Sequence, residues 1–161
     1  MQSHPTVQPL NMLLEHTERE RDQAMVRQQR AEVVLRGAEN QTEQLVAYRG
    51  ECERRWAERS RAGTTPTLMH CHQGFMGRLT AAVEMQGDVV RRARAEVERC
   101  REHLLAQELR VASVRKLIER REAALTQQAD RTEQKLFDEI ASRAAWNRLI
   151  GPSGQGASGL S

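Results

Sequence analysis

Proline is absent between Pro9 and Pro66, and absent again between Pro66 and Pro152. Proline removes a backbone donor and clashes with the preceding turn, so two long proline-free runs leave helix open to most of the chain. Pro9, in "QPL", stands where a first helical turn tolerates it. "RAGTTPTL" is the one strong break between the runs. There Gly63 can end one helix in a left-handed cap, and Thr65 followed by Pro66 caps and opens the next. The predicted order is a flexible 1–8, helix 1 over about 9–61, a turn at 62–65, helix 2 over about 66–148, and a disordered Gly/Ser-rich tail at 149–161. At 1.5 Å per residue the helices would reach roughly 75 and 120 Å. Gly74, Gly77 and Gly87 each weaken helix by about 1 kcal/mol and leave open whether 66–77 is a separate short helix.

Composition says what kind of helices these are. Only 3% of the 161 residues are aromatic and 29% are charged, so large side chains for a thick globular core are missing. Ala, Glu, Arg, Gln and Leu make up much of the rest, which points to coiled coil rather than a compact enzyme. Net charge is +3, from 25 basic and 22 acidic residues, with the signs interleaved as in "RRARAEVERCREH". Interleaving fits solvated helix faces, whereas a nucleic-acid binder gathers its basic residues into a stripe with aromatics. The three cysteines form no disulfide framework and suit a reducing compartment. With no signal-peptide core and no 18-residue apolar run, a cytoplasmic protein that reaches membranes only through partners is expected.

Periodicity supplies the pairing surface. In helix 2 the seam is read through Leu79, Ala82, Gln86, Val89, Ala93 and Val97 on to Gln128, with the extra four-residue step from Ala93 to Val97 as a stutter. In helix 1 it runs from Leu14 through Thr17, Ala24, Ala31, Ala38, Leu45, Tyr48 and Cys52 to Trp56, mixing small, polar and apolar residues. Small seam residues allow close approach but bury little area. The fold class predicted is all-α, an antiparallel two-helix coiled-coil hairpin of marginal stability.

"HCH", residues 70–72, invites a metal or a nucleophile. On a helix His70 and His72 project from different faces, while chelating pairs sit four apart; only a loop would bring them together. A triad around Cys71 needs a pocket and an oxyanion hole that a two-helix rod does not offer. Neither phosphate-binding glycine motif occurs. No catalysis, cofactor or metal is expected. Phe75, Leu79, Ala82 and Gln86 lie on one side of a helix, as core facing helix 1 or as anchors for a partner's groove. Phe75 sits near the turn, so Leu79 buried and Phe75 presented would satisfy both readings.

Three stretches, "YRGEC" (48–52), "QGFMGRLTAAVEMQ" (73–86) and "DRTEQKLFDEIASRAA" (130–145), together resemble the FliJ family of the bacterial flagellar type III export apparatus. The last is similar to the family's C-terminal pattern, an acidic or Asn residue and Arg followed by x-x-Q-K-x-x-D-E-x-A-x-R. The resemblance spans about residues 9–147. It implies a hairpin like the γ stalk of rotary ATPases. It also implies three partners: the hexameric flagellar export ATPase, whose ring the end with both termini enters, the export gate protein FlhA, and export chaperones. Carried over by motif, the gate-binding row is Phe75, Leu79, Ala82 and Gln86, departing from the family at Gln86, where a His can occur. The ring-facing candidates are Gln134, Lys135, Asp138, Glu139 and Arg143. The rival readings are the stalk of a virulence-type secretion system and a homodimeric coiled-coil scaffold.

Overall fold

The computed structural model describes residues 5–151; most of the expected tail, 152–161, and the first four residues lie outside them. Two α-helices account for nearly all of the described chain: α1, Gln8–Arg61, and α2, Pro66–Ile150. Between them Gly63 adopts φ of 106°, a left-handed conformation in which a Cβ would be strained, so glycine suits this turn. Its N–H donates to Ser60 O at 3.2 Å. The Thr65 hydroxyl accepts a hydrogen bond from the Leu68 N–H at 3.3 Å, satisfying one of the free donors at the start of α2.

The chain divides into two units, Leu13–Ala112 and Met1–Met12 with Ser113–Ser161. The first is an antiparallel helical hairpin. Its direction is visible in cross-helix ion pairs whose α2 partner falls as the α1 partner rises: Glu20 with Arg110 at 3.0 Å, Glu32 with Arg101 at 3.4 Å, Glu39 with Arg94 at 3.0 Å. These exposed pairs are worth at most about 1 kcal/mol each and set register more than stability.

The seam is more regular than the sequence reading expects. On α2 the residues turned inward run His72, Met76, Leu79, Val83, Gln86, Val90, Ala93, Val97, Cys100, Leu104, Gln107 and Val111, with steps of four and three in strict alternation. No stutter is present. It arose from choosing Ala82 and Val89, whereas Val83 and the buried Val90 occupy the seam and Val89 is exposed. On α1 a similar substitution occurs near the turn: Tyr48 is exposed and half-buried Arg49 takes the inward step between Leu45 and Cys52. A strict seven-residue repeat keeps both inward stripes facing each other along the pair. Thr17, Ala24, Ala31 and Ala38, seven residues apart, are the buried positions of α1 in this unit. With so little side chain on one helix, the valines of the other supply most of the apolar burial.

The glycines near the start of α2 do not break it: Gly74 and Gly77 lie inside one continuous helix. The inward row His72, Met76 and Leu79 packs this stretch against α1, and tertiary packing outweighs a glycine penalty of about 1 kcal/mol.

In the second unit Val7, Val114 and Ile118 are buried. From Glu119 to Ile150 no residue of α2 is buried, although Leu136, Phe137, Ile140, Trp146, Leu149 and Ile150 lie there. No described helix is long and apolar enough to cross a membrane.

Candidate functional site

The four residues of the gate-binding row divide between two faces. Leu79, 8% exposed, belongs to the seam. Gln86 is half-buried and tied to α1: its Nε2 donates to Ala38 O at 3.2 Å and to Gln41 Oε1 at 3.4 Å. Reaching a main-chain carbonyl across the seam is possible because Ala38 presents only a methyl group. Phe75, 38% exposed, and half-buried Ala82 stand one step off the seam. They fall on a row with Leu68 and Val89, spaced seven residues apart, all but Ala82 exposed. Beside it runs an open groove lined by Leu45, Ala82, Met85, Gln86, Val89 and Arg92, into which Met85 brings an exposed thioether. Met85 and Val89 were missed by motif transfer; the seven-residue spacing from Phe75 through Ala82 was the signal for Val89.

"HCH" also separates by face. Cys71 and His70 are exposed, while the His72 ring stacks on Trp56 of α1, centroids 4.1 Å apart and planes within 5°. No group of three or more metal-capable side chains exists among the described residues. The stack closes the hairpin near its turn. His72→Ala is expected to lower stability by about 1 kcal/mol and to shift Trp56 emission. Both are measurable in a Trp146→Phe background, which leaves Trp56 as the sole tryptophan.

The ring-facing candidates Gln134, Lys135, Asp138, Glu139 and Arg143 are all exposed on the second unit. Arg143 pairs with Glu139 one turn away at 2.7 Å. Leu136 and Ile140 interleave with them, also exposed, so this helix offers apolar and charged groups together. A shallow groove follows it past Leu125, Ala129, Thr132 and Leu136.

No nucleophile is assembled. The half-buried Cys100 thiol is held above its usual range by burial first, then by the Glu96 carboxylate, to which its Sγ donates at 3.7 Å. A raised pKa disfavours the reactive thiolate.

A helix pair whose inward face is spent on its own pairing, whose outer faces carry apolar rows among charges, and whose grooves are open defines an antiparallel coiled-coil hairpin protein. The family described as "Flagellar FliJ protein" matches residues 6–149, and the chain belongs to that family. Comparison with curated proteins and with solved structures gives no match. Members of this family are non-enzymatic stalk proteins, and the chain is a component of the flagellar export apparatus. The flagellar match stands against the virulence-type reading, and the intrachain use of the seam stands against a parallel homodimeric scaffold.

Proposed function

We propose that the chain works as the stalk that joins the export ATPase to the membrane export gate. The exposed segment of α2 around Leu136, Ile140 and Arg143 enters the hole of the hexameric ATPase. The row through Phe75 and Ala82, braced by Leu79 and Gln86, docks on the gate protein FlhA. Export chaperones are escorted on the same rod, on the cytoplasmic side and peripheral to the inner membrane.

The observation that carries this reading is the seven-residue row Leu68, Phe75, Ala82 and Val89, which lies off the seam and is partly exposed. Apolar anchors at helical spacing are what a groove on a partner takes. A rod that binds only the assembled ring shifts the subunits toward assembly by mass action. A second contact on the same chain then raises the effective concentration of the gate.

The test separates the two faces. Phe75→Ala, at a position off the seam and 38% exposed, is expected to lower flagellar export and swimming while lowering the melting temperature far less than Leu79→Ala does. Leu79→Ala is expected to destabilise the hairpin by about 2–3 kcal/mol, the cost of truncating a buried leucine. Unchanged export in both Phe75→Ala and Phe75→Glu would remove the docking role.

A further inference from the structure

We propose that the outward face of α1 around Val26, Arg30, Val33 and Gly37 is a second docking surface, and that its occupant is an acidic amphipathic helix of a partner protein. This face is separate from the row through Phe75, so the inference does not depend on that reading.

The geometry begins with the seam. Ala24 and Ala31 face α2, and Val26 and Val33 each follow one of them by two residues, about 200° around the helix. The valines therefore point away from the hairpin, and Val33 is 64% exposed. Val26, Arg30, Val33 and Gly37 are spaced four, three and four apart, the pattern of a single helix face. A surface helix ordinarily fills that face with charged and polar side chains.

Gly37 adds an independent sign. A Cβ at this position would meet nothing within 4 Å, so no contact inside the chain requires glycine. In the middle of a helix glycine is about 1 kcal/mol worse than alanine. The room it leaves is on the outside, where another helix could approach the backbone closely.

Charge selects the occupant. The α1 carboxylates Glu20, Glu32 and Glu39 are engaged by arginines of α2, and Asp22 is engaged by Arg21 at 2.8 Å. Arg30 and Arg36 take part in no ion pair among the described residues, whereas Arg27 turns toward the groove it shares with Glu96, Cys100 and His103 of α2. Arg30 lies beside Val26 in a shallow groove that Gln23, Arg27 and the Arg21-paired Asp22 also line. Two short apolar anchors bordered by Arg30 and Arg36 complement a helix with small apolar residues on one side and carboxylates along its flanks. A lipid surface suits this face less well, because it carries no Trp, Phe or Leu to enter acyl chains.

The experiment uses the full chain and a short designed helix with alanine and leucine on one face and glutamate on both flanks. A control helix carries lysine in place of glutamate. Binding is followed by fluorescence anisotropy at low and high salt. The glutamate helix is expected to bind and to weaken with salt, and the lysine helix to fail. Gly37→Leu should weaken binding about tenfold or more while leaving helicity and melting temperature unchanged or slightly raised. Arg30→Glu with Arg36→Glu should transfer preference to the lysine helix. Failure of the glutamate helix to bind, or equal binding by Gly37→Leu, would overturn the proposal. So would binding to phosphatidylcholine–phosphatidylserine vesicles that the same substitutions abolish, which would make the face a membrane surface.

Discussion

Val90→Asp is expected to abolish cooperative folding of the hairpin, while the same substitution at its neighbour, Val89→Asp, leaves the melting curve nearly where it was. Val90 is 9% exposed and belongs to the inward stripe; Val89 is 38% exposed and stands outside it. An unpaired carboxylate forced into an apolar seam costs several kcal/mol, whether it stays charged or takes up a proton. This seam has little reserve to absorb that loss, because the buried positions of α1 in this unit carry only alanine and threonine. At Val89 the carboxylate stays in water, and surface substitutions of that kind change stability by about 0.5 kcal/mol or less. Circular dichroism melts of the two variants decide the register. Equal destabilisation, or a larger loss at Val89, would mean that the inward stripe is misassigned.

Leu136→Glu with Ile140→Glu is expected to do the opposite: no loss of stability and a large loss of function. Both side chains are well exposed, at 54% and 61%, and no residue beyond Ile118 on α2 is buried. Replacing them removes little intrachain burial, and glutamate is a good helix former. If this segment enters the ATPase ring, two new carboxylates among its apolar anchors oppose docking by desolvation and repulsion. Swimming and export should then fall to the level of a strain lacking the protein, and the purified variant should no longer promote ring assembly. Wild-type swimming with this double variant would exclude the segment as the ring-entering element. A lowered melting temperature would show that it packs inside the chain after all.

Much of the architecture could be read from the order of residues. Two proline-free runs, "GTTP" between them, and small residues at seven-residue spacing point to a hairpin with a slender seam. The errors came at doubled positions. In "DVVRR" two adjacent valines are equally apolar, so hydropathy alone cannot say whether Val89 or Val90 turns inward, while in "AAVEM" the more apolar Val83 was the available signal against Ala82. The partner helix decides, and it selects strict alternation. Arg49 escaped because a charge masks an aliphatic stem long enough to cover a seam. The Gln86 tether to Ala38 and the Trp56–His72 stack join residues that meet only once the pairing is set. The candidate sites were found by motif, but which face each side chain occupies was not.

The sameness of the α1 seam has a mechanical consequence. Thr17, Ala24, Ala31 and Ala38 taken alone form a nearly smooth track, on which a slip of one heptad would replace small contacts with similar small contacts, while the half-buried positions between them, such as Leu14, Gln28 and Leu35, differ from one another. Such a track offers little resistance to sliding, so the hairpin must be indexed by features that do not repeat. The short connection at Gly63, the stacked rings of Trp56 and His72, and the reach of Gln86 to Ala38 O perform that indexing from the turn to the middle of the unit, and the ion pairs of Glu39, Glu32 and Glu20 with Arg94, Arg101 and Arg110 continue it. The pair is thus pinned from its turn to the middle of its seam and held farther along by ion pairs and alanine–valine contacts, so opening of this unit is expected to start at the end away from the turn.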